Sequence, residues 1–201
     1  MEVKINNEIK EIAQFIQSKG WAERNAGNIS YRLDFEPNFE ILISKSGACF
    51  RDMAKQAEAN CCKIQHMLPH TQNPSSELPT HLLIHKLNKP GIRAIVHTHP
   101  THLIAFSHKY STYSKEMINA LLSSIMPEVS MYIPSGIGVV ELYPPGSHEL
   151  AKATEEEFKH HDIVIWKKHG CIAISDTLWG AVDLIDIVDK AAYISLLAGL
   201  K

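Results

Sequence analysis

The sequence has little cysteine, four residues in 201, and Cys49, Cys61, Cys62 and Cys171 form no Cys-x-x-Cys pair. That spacing excludes a disulfide framework and a thiolate zinc site, leaving ordinary reduced thiols as the expectation. No apolar run is long enough to span a bilayer. The opening Met1-Glu2-Val3-Lys4-Ile5 has neither the basic nor the apolar region of a secretion signal, so cytoplasmic residence is expected. Long blocks of like charge are missing as well: 20 basic and 22 acidic residues give a formal charge of −2. This argues against a nucleic-acid or membrane partner and for a small molecule. Internal repeats, low-complexity tracts, a P-loop and a Gly-x-Gly-x-x-Gly fingerprint are all absent. A chain of this length can bury a core without staples, so residues 1–201 are expected to form one domain in which a metal would be free to serve chemistry.

What is abundant is histidine, 12 residues scattered along the chain. Most need only one hydrogen-bond partner at a half-buried position, so spacing must select among them. Helical periodicity runs over Glu8–Lys19 and stops at Gly20, and short strands are expected at Ile29–Leu33 and Ile41–Ile43. Asp52 to Asn73 has a poor pattern, suited to weak strands or loops. A helix is expected to start near Ser75 or Ser76, capped by serine, with Glu77 in its first turn and Leu78, Leu82 and Leu83 on its apolar face. Ala94–His97 reads as a buried strand, Thr101–Ser107 as a helix, Ser147 to about His160 as a helix, and Ile163–Trp166 and Cys171–Ser175 as strands. Leu178–Leu197 reads as a long helix with Asp183, Asp186 and Asp189 along a solvated face. Strands interleaved with helices indicate an α/β or α+β fold.

Alternate residues of a strand point the same way, so His97 and His99 can offer both imidazoles to one ion. As two polar residues at a strand end they would need no ion. His102 could complete a triad locally and His169 from a distance. His169 is favoured because it stands between an apolar strand and a glycine-assisted turn. Glu77 is the best acid/base candidate, although a glutamate there can simply favour a helix dipole. A rival metal face would use Glu77, His81 and His85 on one helix. Three turns, Asn25-Ala26-Gly27-Asn28, Ser44-Lys45-Ser46-Gly47 and Pro74-Ser75-Ser76, offer N–H groups and small donors that can close on an anion.

Taken in order, Gly20-Trp21-Ala22-Glu23-Arg24-Asn25-Ala26-Gly27-Asn28, Ser46-Gly47-Ala48-Cys49-Phe50-Arg51, Ser75-Ser76-Glu77-Leu78-Pro79-Thr80-His81, Val96-His97-Thr98-His99, Gly136-Ile137-Gly138 and His169-Gly170 resemble the class II aldolase/adducin family. The first and third of these point to its rhamnulose-phosphate branch. The resemblance implies a three-layer fold, a central, mostly antiparallel sheet flanked by helices. It also implies one zinc ion per chain on His97, His99 and His169, with Glu77 as the acid/base and Glu128 as a second active-site glutamate. Asn28, Ser46, Gly47, Ser75 and Ser76 would bind phosphate, with Asn25 adjoining. The implied substrate is a small phosphorylated ketose, with reversible cleavage of L-rhamnulose 1-phosphate to dihydroxyacetone phosphate and L-lactaldehyde. A homo-oligomer, a C4 tetramer, is expected with it. Fuculose-phosphate aldolase, methylthioribulose-phosphate dehydratase and pentulose-phosphate 4-epimerase share the same three histidines, and an adducin-like interaction domain would lack them. Two departures stand out: Lys45 replaces the small residue usual before the Ser-Gly turn, and the chain stops at Lys201, before a tail that helps close the site in longer members.

Overall fold

The structure is a computed structural model that describes residues 2–34, 39–65, 72–87 and 89–199. Its centre is a seven-stranded sheet of β1 (Asn28–Arg32), β2 (Glu40–Ser44), β3 (Cys61–Gln65), β4 (Ala94–Thr98), β5 (Gly138–Val140), β6 (Ile163–Trp166) and β7 (Gly170–Ser175), in the order β3-β2-β1-β4-β7-β6-β5. Every neighbouring pair is antiparallel except β5 and β6, which run parallel. The central strands β1, β4 and β7 are buried along nearly their whole length because helices cover both faces of the sheet.

Side chains of β4 show how the layers divide. Ala94 and Val96 join a core with α9 (Leu178–Ala198), α5 (Thr101–Lys109), α6 (Lys115–Ile125) and α1 (Glu2–Lys19). Ile95 points the other way, into a core with Ile84 of α4 (Leu78–Lys86) and with Leu150 and Phe158 of α8 (His148–Phe158). The result is the three-layer arrangement expected. In α9 the buried set Leu178, Ala181, Val182, Ile185 and Val188 lies at helical spacing. Each large aliphatic side chain buried there contributes about 1.5–3 kcal/mol, which holds α9 against β4, which carries His97, and β7, which His169 precedes. No helix among the described residues is long and apolar enough to cross a membrane.

Four expectations are corrected. The first helix begins at Glu2 rather than Glu8, with Ile5 already buried. The poorly patterned stretch holds a strand, β3, as expected, but also α3 (Ala57–Asn60) and the end of α2 (Phe50–Met53), while His66, Pro69 and His70 lie outside the described residues. Helices of four residues are too short to display a period. Glu77 is itself the N-cap residue of α4 and no side chain caps that helix, although the Ser75 hydroxyl accepts from the Glu77 N–H at 3.2 Å. Asp189 is buried rather than solvated, and it accepts from Trp21 Nε1, the Leu103 N–H and His102 Nδ1, each at 3.1 Å. Periodicity identified its helix, but the donors that draw it inward come from distant segments. All four cysteines are free and buried, as expected.

Candidate active site

The turn before β1 brings Asn28 beside β4, where Asn28 pairs with His97. Gly27 has φ +76°, and a Cβ there would meet the His97 carbonyl at 2.7 Å and the Phe50 ring at 2.8 Å. Glycine is therefore required for the turn to lie against the strand that carries the first histidine. His97 ends β4 and His99 follows it, while His169 stands in the tight loop between Trp166 of β6 and Gly170 of β7. That three-residue loop includes Lys168 at φ +64°, the left-handed position typical of such hairpins. Lys167 anchors it: its buried ammonium donates to the carbonyls of Ser111 and Tyr113, both at 3.2 Å, and to Glu141 Oε1 at 2.6 Å. All three of its N–H donors are used.

His97, His99 and His169 can place one ligand atom each within 4.8 Å of one another, and they are the group of this kind among the described residues. Their donor chemistry fits a divalent cation. His97 Nδ1 donates to the Cys171 carbonyl at 2.8 Å, and His99 Nδ1 donates to Glu23 Oε1 at 2.9 Å. Each Nε2 then carries a lone pair, yet the two Nε2 atoms lie 3.1 Å apart. Two facing lone pairs repel unless a cation or proton sits with them, and an imidazole oriented through Nδ1 is the usual form of a metal ligand. Burial, followed by the neighbouring charges of His99 and His169, holds His97 well below the ordinary histidine range, so it is a neutral donor. Burial and then His99 push His169 down to about 4.

Glu77 lines the same cleft as the histidines. Its Oε1 accepts from the Gly146 N–H at 2.9 Å and its Oε2 from the Thr80 hydroxyl at 3.4 Å. Burial raises its pKa against the pull of these two bonds. Asn25, Asn28, Lys45, Ser46, Gly47, Ser75 and Ser76 line the remainder. The arrangement combines three histidines that could hold a cation, a carboxyl able to hold or release a proton, and a donor-rich rim that could take an anion. Lys45 lies on that rim with its ammonium donating to the Ala59 carbonyl at 2.7 Å.

Other candidates lie elsewhere. Glu128 is exposed on α7 (Pro127–Tyr132) and is not among the residues lining the cleft. His102 turns away to Asp189 and packs on Tyr193. His81 and His85 do not make a metal face with Glu77, because both bind the Ser30 hydroxyl under the cleft, at 2.7 and 2.9 Å. Glu23 was not singled out from sequence as an orienting group for His99. Its place in the Trp21-Ala22-Glu23-Arg24-Asn25 segment was the available signal.

With this geometry in hand, comparison with known proteins gives concordant likenesses. The model of the class II aldolase and adducin N-terminal domain matches residues 7–196. A rhamnulose-1-phosphate aldolase of Bacteroides thetaiotaomicron is 33% identical, the match covering 96% of this chain and 85% of that protein. A crystal structure of a sugar-phosphate aldolase from Thermotoga maritima superposes with a TM-score of 0.86 at 33% identity, covering 100% of this chain and 97% of the other. An L-fuculose-1-phosphate aldolase from Thermus thermophilus, at 21% identity and a TM-score of 0.79, shares the fold over 100% of this chain and 97% of its own.

Proposed function

Because the chain belongs to the class II aldolase and adducin family, we propose that it is a zinc-dependent aldehyde-lyase that reversibly cleaves L-rhamnulose 1-phosphate to dihydroxyacetone phosphate and L-lactaldehyde. The observation that carries this reading is the cleft itself, which the three-histidine group, the buried carboxyl of Glu77 and a rim of small donors line together. The likeness to a rhamnulose-1-phosphate aldolase supports the choice of sugar.

His97, His99 and His169 would hold the zinc, with Glu23 and the Cys171 carbonyl fixing two of the rings. When bound, the ion supplies Lewis-acid stabilisation of the negative charge that develops on the ketose oxygens. Asn28, Ser46, Gly47, Ser75 and Ser76, with Asn25 beside them, bind the phosphate and so place the reacting carbons. Glu77 moves the proton at the carbon beside the carbonyl. In cleavage the hydroxyl of the carbon that becomes the aldehyde gives its proton to solvent as the carbon–carbon bond breaks, and Glu77 protonates the carbon left behind; in synthesis Glu77 removes that proton and the new hydroxyl takes one from solvent. Its raised pKa suits a group that must do both near neutral pH. Gly146 and Thr80 keep the carboxyl from turning away. Glu128, exposed on α7, can join such a site only when another copy of the chain carries it there, so its role belongs with a C4 tetramer.

A panel of phosphoketoses read by product identity tests the reading. Release of dihydroxyacetone phosphate from L-rhamnulose 1-phosphate, lost on chelation and restored by zinc, is the expected result. Cleavage of the fuculose isomer alone, a dehydrated product or an epimer would each replace the proposed reaction with another.

A further inference from the structure

From Asn28 on the cleft wall a chain of hydrogen-bonded side chains runs inward through His81, Ser30 and His85, three residues to which the reaction gives no role. Asn28, on the cleft wall, has its Oδ1 2.6 Å from His81 Nε2. His81 Nδ1 lies 2.7 Å from Ser30 Oγ, and Ser30 Oγ lies 2.9 Å from His85 Nε2. Ser30, His81 and His85 are fully buried, and His85 Nδ1 has no hydrogen-bond partner among the described residues. Each link constrains the next, because a neutral imidazole donates through one nitrogen and accepts through the other.

Asn28 flipped with both imidazoles donating to Ser30 would leave the buried Ser30 hydroxyl proton without an acceptor, so two proton arrangements remain. In one, His85 Nε2 donates to Ser30, Ser30 donates to His81 Nδ1, and His81 Nε2 donates to Asn28 Oδ1. In the other every bond is reversed, Asn28 is flipped, and a buried N–H is stranded on His85 Nδ1. Stranded N–H groups are rarer in protein interiors than under-used acceptors. The empty end of the chain therefore selects the first arrangement. Burial keeps both rings neutral, pushing His81 down to about 3 and His85 well below its ordinary range, with His81 and the Arg32 charge adding to the effect on His85.

We propose that Ser30, His81 and His85 are positioning residues that lock Asn28 with its carbonyl oxygen inward and its NH₂ toward the cleft, so that this wall donates to a phosphoryl oxygen and disfavours a ligand donor. This rests on the reading of Asn28 as a phosphate-binding residue. It explains why two histidines at helical spacing on α4 face the sheet without holding a metal. It also separates them from the catalytic set, since neither lines the cleft.

Nitrogen-15 NMR of the imidazoles in the intact, zinc-loaded protein tests the lock directly. Both His81 and His85 should be Nε2–H tautomers, and Nδ1–H tautomers at these positions would overturn the proposal. The functional consequence is read by calorimetric titration with inorganic phosphate, in zinc-loaded and metal-free protein so that binding to the ion is separated from binding to the wall. His81→Leu should weaken phosphate on the order of tenfold in both forms, the loss of about one hydrogen bond's orientation. His81→Gln, which keeps a donor near Asn28, should recover part of that affinity. Equal phosphate binding by a folded His81→Leu protein would overturn the proposal, as would equal loss in the two variants. Phosphate binding that follows this pattern in a protein inactive on every ketose would sink the proposed reaction and leave the lock standing.

Discussion

Glu23 shows how much of the proposed metal site rests on a residue outside its proposed ligands. Burial works to raise its pKa, but its hydrogen bond to His99, a backbone bond and the nearby histidine charges outweigh that and lower it. The carboxylate is thus ready to accept from His99 Nδ1 and leave Nε2 bare. Glu23→Gln should weaken zinc about 10–100-fold, measured by competition with a chelating dye, while the fold is retained. At Glu77 the same physics runs the other way. Its ordinary value is 4.5, and burial raises it in the fold. The folded state holds the proton more tightly, so the stability this contributes is complete below 4.5 and is lost as pH rises through the folded value. Metal-free Glu77→Gln should therefore melt above the parent at neutral pH, with the gap closing under acid, and thermal scans across pH check this. His97, His99 and Glu77 were legible in the sequence because strand spacing and a hydroxyl-rich turn mark them. Glu23 was not, because its partner is 76 positions away.

At the level of elements, the β6–β7 hairpin decides where the third histidine stands. A Cβ on Gly170 would collide with the Thr98 carbonyl and lie 3.1 Å from the His99 ring. Gly170→Ala should shift the hairpin from β4, costing about 1–3 kcal/mol in denaturant unfolding of the metal-free protein and loosening zinc in calorimetric titration. The His-Gly pair was visible in sequence, but the clash that makes glycine necessary was not. Helix α4 shows the opposite failure. Its histidines at i and i+4 suggested a metal face, whereas the packing of α4 on β1 turns them onto Ser30. Asp189 was misread for a related reason: its spacing matched Asp183 and Asp186, yet the donors of Trp21, Leu103 and His102 draw it inside. Periodicity names an element's face but not the polar partners waiting there.

For the whole molecule, the buried neutral histidines couple the fold to acid. His81 has an ordinary value of 6.5 and titrates near 3 in the fold, and His85 is displaced in the same direction. An unfolded chain takes up those protons first, so stability is complete above 6.5 and falls as pH drops toward 3. The melting temperature should decline through that window, less steeply in His81→Gln, as calorimetry at stepped pH will show. The layered α/β architecture was legible because apolar strands and amphipathic helices alternate along the chain. The central claim is that a metal-loaded cleft uses Glu77 to move a proton at the carbon beside the ketose carbonyl. It is tested most directly by incubating zinc-loaded protein with dihydroxyacetone phosphate alone in D₂O and following that carbon's proton signal by NMR. Exchange is expected with the parent protein and, given the usual size of acid/base contributions, at a rate about 10²–10⁴-fold lower with Glu77→Gln. Undiminished exchange in the zinc-loaded Glu77→Gln protein, or no exchange in the zinc-loaded parent, would contradict it.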